Sequence, residues 1–94
     1  MQTNAPAQTP HPFDRYISER QAADLRFSVT ALCDLCGVSR SAYYRVINGA
    51  ADVGNDLFEK FERGTNSAIT AHELYAAWLH AKRQRELAEA GANQ

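Results

Sequence analysis

After residue 12 the chain of 94 residues has no proline; all three prolines fall in the opening MQTNAPAQTPHP. Proline breaks helices, so nothing in the remainder forbids long helical segments. The opening itself offers little to bury, and residues 1–12 read as a flexible tail, with an arm that touches a partner as the alternative. No stretch approaches the roughly 18 apolar residues that a membrane helix needs, and the N-terminus lacks the basic region and apolar core of a signal peptide. A cytoplasmic protein without a membrane partner is expected.

Cysteine is also scarce. Cys33 and Cys36 are the only two. No second pair exists, and His72 and His80 lie without ligand spacing to them, so neither a zinc site nor any other metal is expected. In a reducing compartment both remain thiols, and two positions this close on a helix cannot make an unstrained disulfide. They read as small buried hydrophobes.

A large positive excess is missing too. The formal net charge is −1, which excludes a protein that coats nucleic acid indiscriminately but not one that docks on a single site. Acidic residues are absent from Leu35 to Ala51, and Arg40 and Arg45 both fall inside that window. Finally, the chain shows no nucleophile beside a base, no phosphate-cradling glycine loop and no paired carboxylates. It reads as a non-enzyme that calls for no cofactor.

What is present is ordinary in amount, with 45% hydrophobic and 22% charged residues, and helical in its spacing. One small domain over residues 13–90, with 91–94 as a loose end, is the expected organisation. A core of this size buries roughly 60 to 65% of the unfolded surface. In FDRYISERQAADLRF the positions Phe13, Tyr16, Ile17, Ala23 and Phe27 recur at helical steps, predicting a first amphipathic helix. Ser28 or Thr30 caps a second, which runs to about Cys36 and breaks at Gly37. Ser39 caps a third, SRSAYYRVI, ending at Asn48 and Gly49.

Asn55 or Asp56 opens a fourth helix that turns Leu57, Phe58 and Phe61 inward and closes at Gly64. Thr70 and Glu73 have the spacing of a capping box. The fifth helix begins there. Its first half buries Leu74, Tyr75, Trp78 and Leu79; its second half, AKRQRELAEA, is solvated and frays before Gly91. The basic cluster His80, Lys82, Arg83 and Arg85 is interspersed with Gln84, Glu86 and Glu89, the pattern of a solvated helix end, with a contact to DNA backbone as the alternative.

Two helices joined by about three residues around a glycine make a helix-turn-helix, whose second helix enters a DNA major groove. The unit demands a small residue four before the glycine, here Cys33, and a turn residue tolerant of left-handed angles, here Gly37. Leu32, Cys36, Val38, Tyr43 and Val46 fall at its inward positions.

The segment GVSRSAYYRVING resembles the GVSxxTVSRVxNG pattern of bacterial and phage repressors, and the five-helix order resembles the Cro/C1 group. GTNSAITAHELYAAW is similar to the segment after the motif in small Cro-like regulators. The likeness spans roughly residues 13–80, with 31–49 its specific part. Tyr43 stands where the pattern has Val, and Tyr44 where it has Ser.

The resemblance implies an all-α, compact five-helix fold with the motif in helices two and three, and a transcriptional regulator that binds a specific double-stranded site as a homodimer. Its recognition helix would span 39–48. It places Arg40 and Ser41 where base edges are read; arginine's planar fork suits guanine O6 and N7. Arg45 reaches a base or the backbone, and Tyr44 reads a base, touches phosphate or covers the core edge. Ser39 and Asn48 suit phosphates, as do the hydroxyls and amides of Ser28 and Thr30. Contact with RNA polymerase stays open as a means of activation. The alternative is an adaptor in which the same fold binds RNA polymerase or another regulator instead of DNA.

Overall fold

The computed structural model describes residues 10–92, and the side chains of 10–91. Five helices run in order: α1 Pro12–Gln21, α2 Val29–Cys36, α3 Arg40–Ile47, α4 Asn55–Gly64 and α5 Ala71–Ala92. Among the described residues there is no strand. No helix is long and apolar enough to cross a membrane.

Each start and stop has a local cause. Ser28, extended at φ −146°, accepts the Ala31 N–H and so caps α2; Thr30 lies inside the first turn instead. Ser39 does the same for α3 through the Ala42 N–H at 3.0 Å. Gly37 at φ 68° ends α2 with the paired bonds of a Schellman turn: its own N–H donates to the Asp34 carbonyl and that of Val38 to Cys33. Gly49, also at φ 68°, ends α3 in the same way, with Ala50 N–H donating to Arg45. The capping box at α5 is complete, Thr70 Oγ1 accepting from Glu73 N–H at 3.1 Å while Glu73 Oε2 accepts from Thr70 N–H at 2.8 Å.

Several expectations are corrected. The first helix stops at Gln21, not near Phe27. The chain then turns, leaving Ala23 exposed and Leu25 89% exposed, and returns Phe27 to the core edge-on to Tyr16. The Gln21 side chain holds that return by donating to the Phe27 carbonyl at 2.9 Å. At α4 the cap is Gly54, which has no side chain to bond with, rather than Asn55 or Asp56. Gly64 is still helical and Thr65 is the cap. Tyr75 is 43% exposed, not buried, and α5 continues through Gly91. Of the tail, residues 1–9 lie outside the described residues, while His11 caps α1 and Pro12 is buried in its first turn.

Phe13 is the point where three helices meet. Its ring stacks on Tyr43 of α3 at 4.6 Å and tilts against Phe61 of α4 at 4.6 Å. The aromatic ring at position 43, larger than the valine of the repressor pattern, is thus accommodated by a flat partner from α1. Leu32, Val46, Phe58, Ile69 and Leu74 complete an interior with no exposed surface or almost none. Arg15 clamps α1 to α5: Nη1 meets Glu73 Oε1 at 2.6 Å, and Nη2 meets Oε2 at 3.2 Å and the Ala68 carbonyl at 2.7 Å. The hydrogen bond from Arg15 holds the Glu73 carboxyl below its usual range, against a smaller upward push from burial.

The cap at His11 is sensitive to pH. Its Nδ1 accepts the Phe13 N–H at 3.1 Å, which requires a neutral ring with the proton on Nε2. Burial lowers its pKa below the ordinary 6.5, opposed by the nearby Asp14 carboxylate. The unfolded chain therefore binds this proton first as pH falls. The contribution is complete above pH 6.5 and is lost as pH drops through the lower folded value. Thermal melts from about pH 7.5 down to about pH 5 should show a falling melting temperature. His11→Asn, which keeps an acceptor at the cap but does not titrate, should flatten that slope; an equal slope in the variant would assign it elsewhere.

Candidate nucleic-acid interface

The outer side of α3 is set by its spacing. Tyr43 and Val46 are buried, so residues 40, 41, 44, 45 and 48, which lie on the opposite arc at 100° per residue, face outward. Arg40, Ser41, Tyr44 and Asn48 are exposed and Arg45 is partly so. All five expected site residues on this segment thus share one face, with Ser39 at its leading edge. Ser28 and Thr30 are exposed as well, but they stand at the start of α2, roughly 12 Å of helix away from the turn. Both cap hydroxyls, Ser28 and Ser39, use their acceptor side on backbone N–H groups and keep the O–H free to donate.

Tyr44 has a divided role in the packing. Its ring stands edge-on to Tyr43 at 5.0 Å and 88°, covering the margin of the core, while 43% of the residue remains exposed. Tyr43 beneath it belongs wholly to the interior, where burial pushes its phenol up to about 12.

The two arginines differ. Arg40 makes no ion pair among the described residues, whereas Arg45 Nη2 contacts Asp52 Oδ2 at 2.7 Å and the Asp52 carbonyl at 3.4 Å. The acid-free window from Leu35 to Ala51 therefore leaves Arg40 without an acid but not Arg45. Asp52 is the first acid past the acid-free window, and the turn at residues 51–52 after Gly49 carries it back beside α3. An acid seven residues downstream, beyond an Asn-Gly turn, was the available signal. A groove of about 330 Å³ runs alongside, lined by Ala42, Arg45, Asp52, Asp56 and Lys60 among others.

Cys33 and Cys36 are buried free thiols at the packing surface of α2. Burial pushes Cys36 up to about 11, and Cys33 is raised for the same first reason. Cys36 lies against Gly64 of α4: a Cβ built there would sit 2.6 Å from both Cys36 Cα and Sγ. Among the described residues no group of three His, Cys, Asp or Glu side chains is arranged to hold a metal ion. A second groove, of about 570 Å³, lies between the start of α1 and α5 and involves none of the α3 residues.

Trp78 anchors the loop behind α3. Its Nε1–H donates to the Ala50 carbonyl at 2.8 Å. Gly49 meets α5 so closely that a Cβ there would collide with the Lys82 nitrogen and lie 2.6 Å from the Ala81 carbonyl carbon. The C-terminal end of α3 is therefore fixed against α5, while its N-terminal end hangs from the Gly37 turn. No protein-family model, curated protein or solved structure matches this chain.

Proposed function

We propose that this chain is a sequence-specific double-stranded DNA-binding transcriptional regulator, non-catalytic, with α2 and α3 acting as a helix-turn-helix of the Cro/C1 kind. The observation that carries the reading is the outer face of α3: solvent-exposed along its length, free of acids in its own sequence, and led by Arg40, which has no ion pair among the described residues. An α-helix with its side chains is roughly 10–12 Å across, and the major groove is about 12 Å wide. Arg40 and Ser41 would read base edges, with Arg45 and Tyr44 one turn on. Ser28, Thr30, Ser39 and Asn48 would hold phosphates and set the register.

A homodimer would place two copies of α3 in successive major grooves. The second half of α5 supports pairing. Ala81, Gln84, Leu87, Ala88 and Gly91 recur at three- and four-residue steps without a charge, while Lys82, Arg83, Arg85, Glu86 and Glu89 fall between them. Leu87 on that strip is exposed. Occupation of a promoter would be the means of regulation that asks only for this DNA-binding face. The setting would be the cytoplasm, on the nucleoid.

Selection of bound fragments from random duplexes tests the reading directly. An enriched site is expected, and Arg40→Ala should lose about 1 to 3 kcal/mol of discrimination at one base position while leaving the melt unchanged. An unaltered site preference in that variant would take Arg40 out of base reading.

The neutralised Arg45 and the net charge of −1 favour a second reading, a protein-interaction adaptor that binds RNA polymerase or another regulator through the same face. Salt separates the two. Binding through several phosphates weakens steeply as salt rises, and a complex insensitive to salt would favour the adaptor.

A further inference from the structure

We propose that Asp52 is a specificity-determining residue that reserves Arg45 for base edges and denies it to the phosphate backbone; the inference rests on the DNA-binding reading of α3. Three observations bear on it. Asp52 lies on a turn outside α3, yet its carboxylate reaches Arg45 Nη2 at 2.7 Å and its carbonyl lies 3.4 Å from the same nitrogen. The carboxylate is exposed, so burial does not demand the pair. No acid stands between Leu35 and Ala51, so the negative charge at this flank of α3 comes from outside the helix: Asp52 pairs with Arg45, and Asp56 lines the same groove beside Lys60.

A guanidinium donates five N–H bonds in one plane. Asp52 Oδ2 takes one hydrogen of Nη2; once the longer contact to the Asp52 carbonyl is given up, the other hydrogen of that nitrogen pairs with a neighbouring N–H in a fork that matches guanine O6 and N7. In that complex the ion pair survives, and the carboxylate braces the side chain in a single orientation. With a phosphate the balance differs: guanine offers neutral acceptors, whereas a phosphate is an anion that the carboxylate held 2.7 Å from Arg45 Nη2 repels. Contact on any arbitrary duplex is therefore penalised, and contact on a site with guanine at the right step is not. In this sense Asp52 is a positioning residue that acts through Arg45.

The test uses the full chain, a duplex enriched from the random pool, and a scrambled duplex of equal length, titrated over a range of salt. Asp52→Asn should bind the scrambled duplex roughly 3- to 10-fold tighter, with a log–log salt slope steeper by about one contact. The ratio of enriched to scrambled affinity should fall by roughly tenfold. In an Arg45→Ala background the same change at Asp52 should leave that ratio where Arg45→Ala alone puts it, because the coupling partner is gone.

Unchanged melting curves would show that these shifts are not losses of fold, as expected for two side chains open to solvent. An unaltered ratio and slope in Asp52→Asn overturns the proposal. So does an equal change in ratio without Arg45, which would make Asp52 a simple repulsive charge. If the wild-type chain enriches no duplex at all, the DNA-binding reading itself fails; enrichment with an unmoved ratio removes only Asp52.

Discussion

Gly49→Ala should lower the melting temperature by about 10 to 25 °C, corresponding to roughly 2 to 5 kcal/mol in a domain of this size. Two causes add. The backbone sits at φ 68°, where a side chain costs about 1 to 2 kcal/mol. The new Cβ would also strike the backbone of α5 at Lys82 and Ala81, which cannot swing aside as a side-chain tip would. Two other glycines separate these causes. Gly37 shares the φ of 68° but has nothing within 4 Å of a Cβ, so Gly37→Ala should show the backbone cost alone.

Gly64 is helical with ordinary angles and meets Cys36 at 2.6 Å, so Gly64→Ala should show the collision alone, offset by about 1 kcal/mol of better helix propensity. Thermal melts of the three variants should therefore rank Gly49 as the most damaging. A Gly49→Ala melt close to wild type would mean that α3 and α5 leave room for a methyl group at their crossing.

Phe61→Ala should cost about 3 to 5 kcal/mol, a large share of the roughly 5 to 14 kcal/mol expected for a chain of this length. Its side chain is wholly buried and touches Phe13, which in turn stacks on Tyr43. Removing the ring opens a space at the junction of α1, α3 and α4, and collapse is resisted because each neighbour is itself an aromatic plate or a helix backbone. Chemical denaturation should show the midpoint falling with the slope retained. A loss below about 1 kcal/mol would indicate a core able to refill the space.

The parts of this architecture visible in the sequence are those with local causes. Ser28 and Ser39 as caps, Gly37 as a left-handed stop and the Thr70–Glu73 box each depend on residues within three or four positions, and each forms. The inward set Leu32, Cys36, Tyr43 and Val46 is dictated by helical spacing and is buried; Val38 is partly so. What escaped was decided at a distance. Ala23 and Phe27 continue the helical period beyond Gln21, but the ring of Phe27 gains more by turning back to Tyr16.

Asp52 falls in a loop that has no periodicity to read, and only the turn at Gly49 brings it to Arg45. Tyr75 occupies a helical position that looks inward on a wheel. Phe58 and Trp78 already fill the space beneath it, with centroids 6.2 and 5.8 Å from its ring, and part of the phenol is left at the surface.

The bond between Trp78 and Ala50 has a practical corollary. The chain has one tryptophan, so fluorescence excited at the red edge of its ultraviolet absorption, where the tyrosines no longer absorb, originates from a single indole, and that indole is tethered to the segment immediately after α3. Its colour and lifetime accordingly track the seating of that one joint rather than an average over the molecule. A change that breaks the bond to Ala50, such as a substitution at Gly49, should therefore shift that emission, with no dye attached.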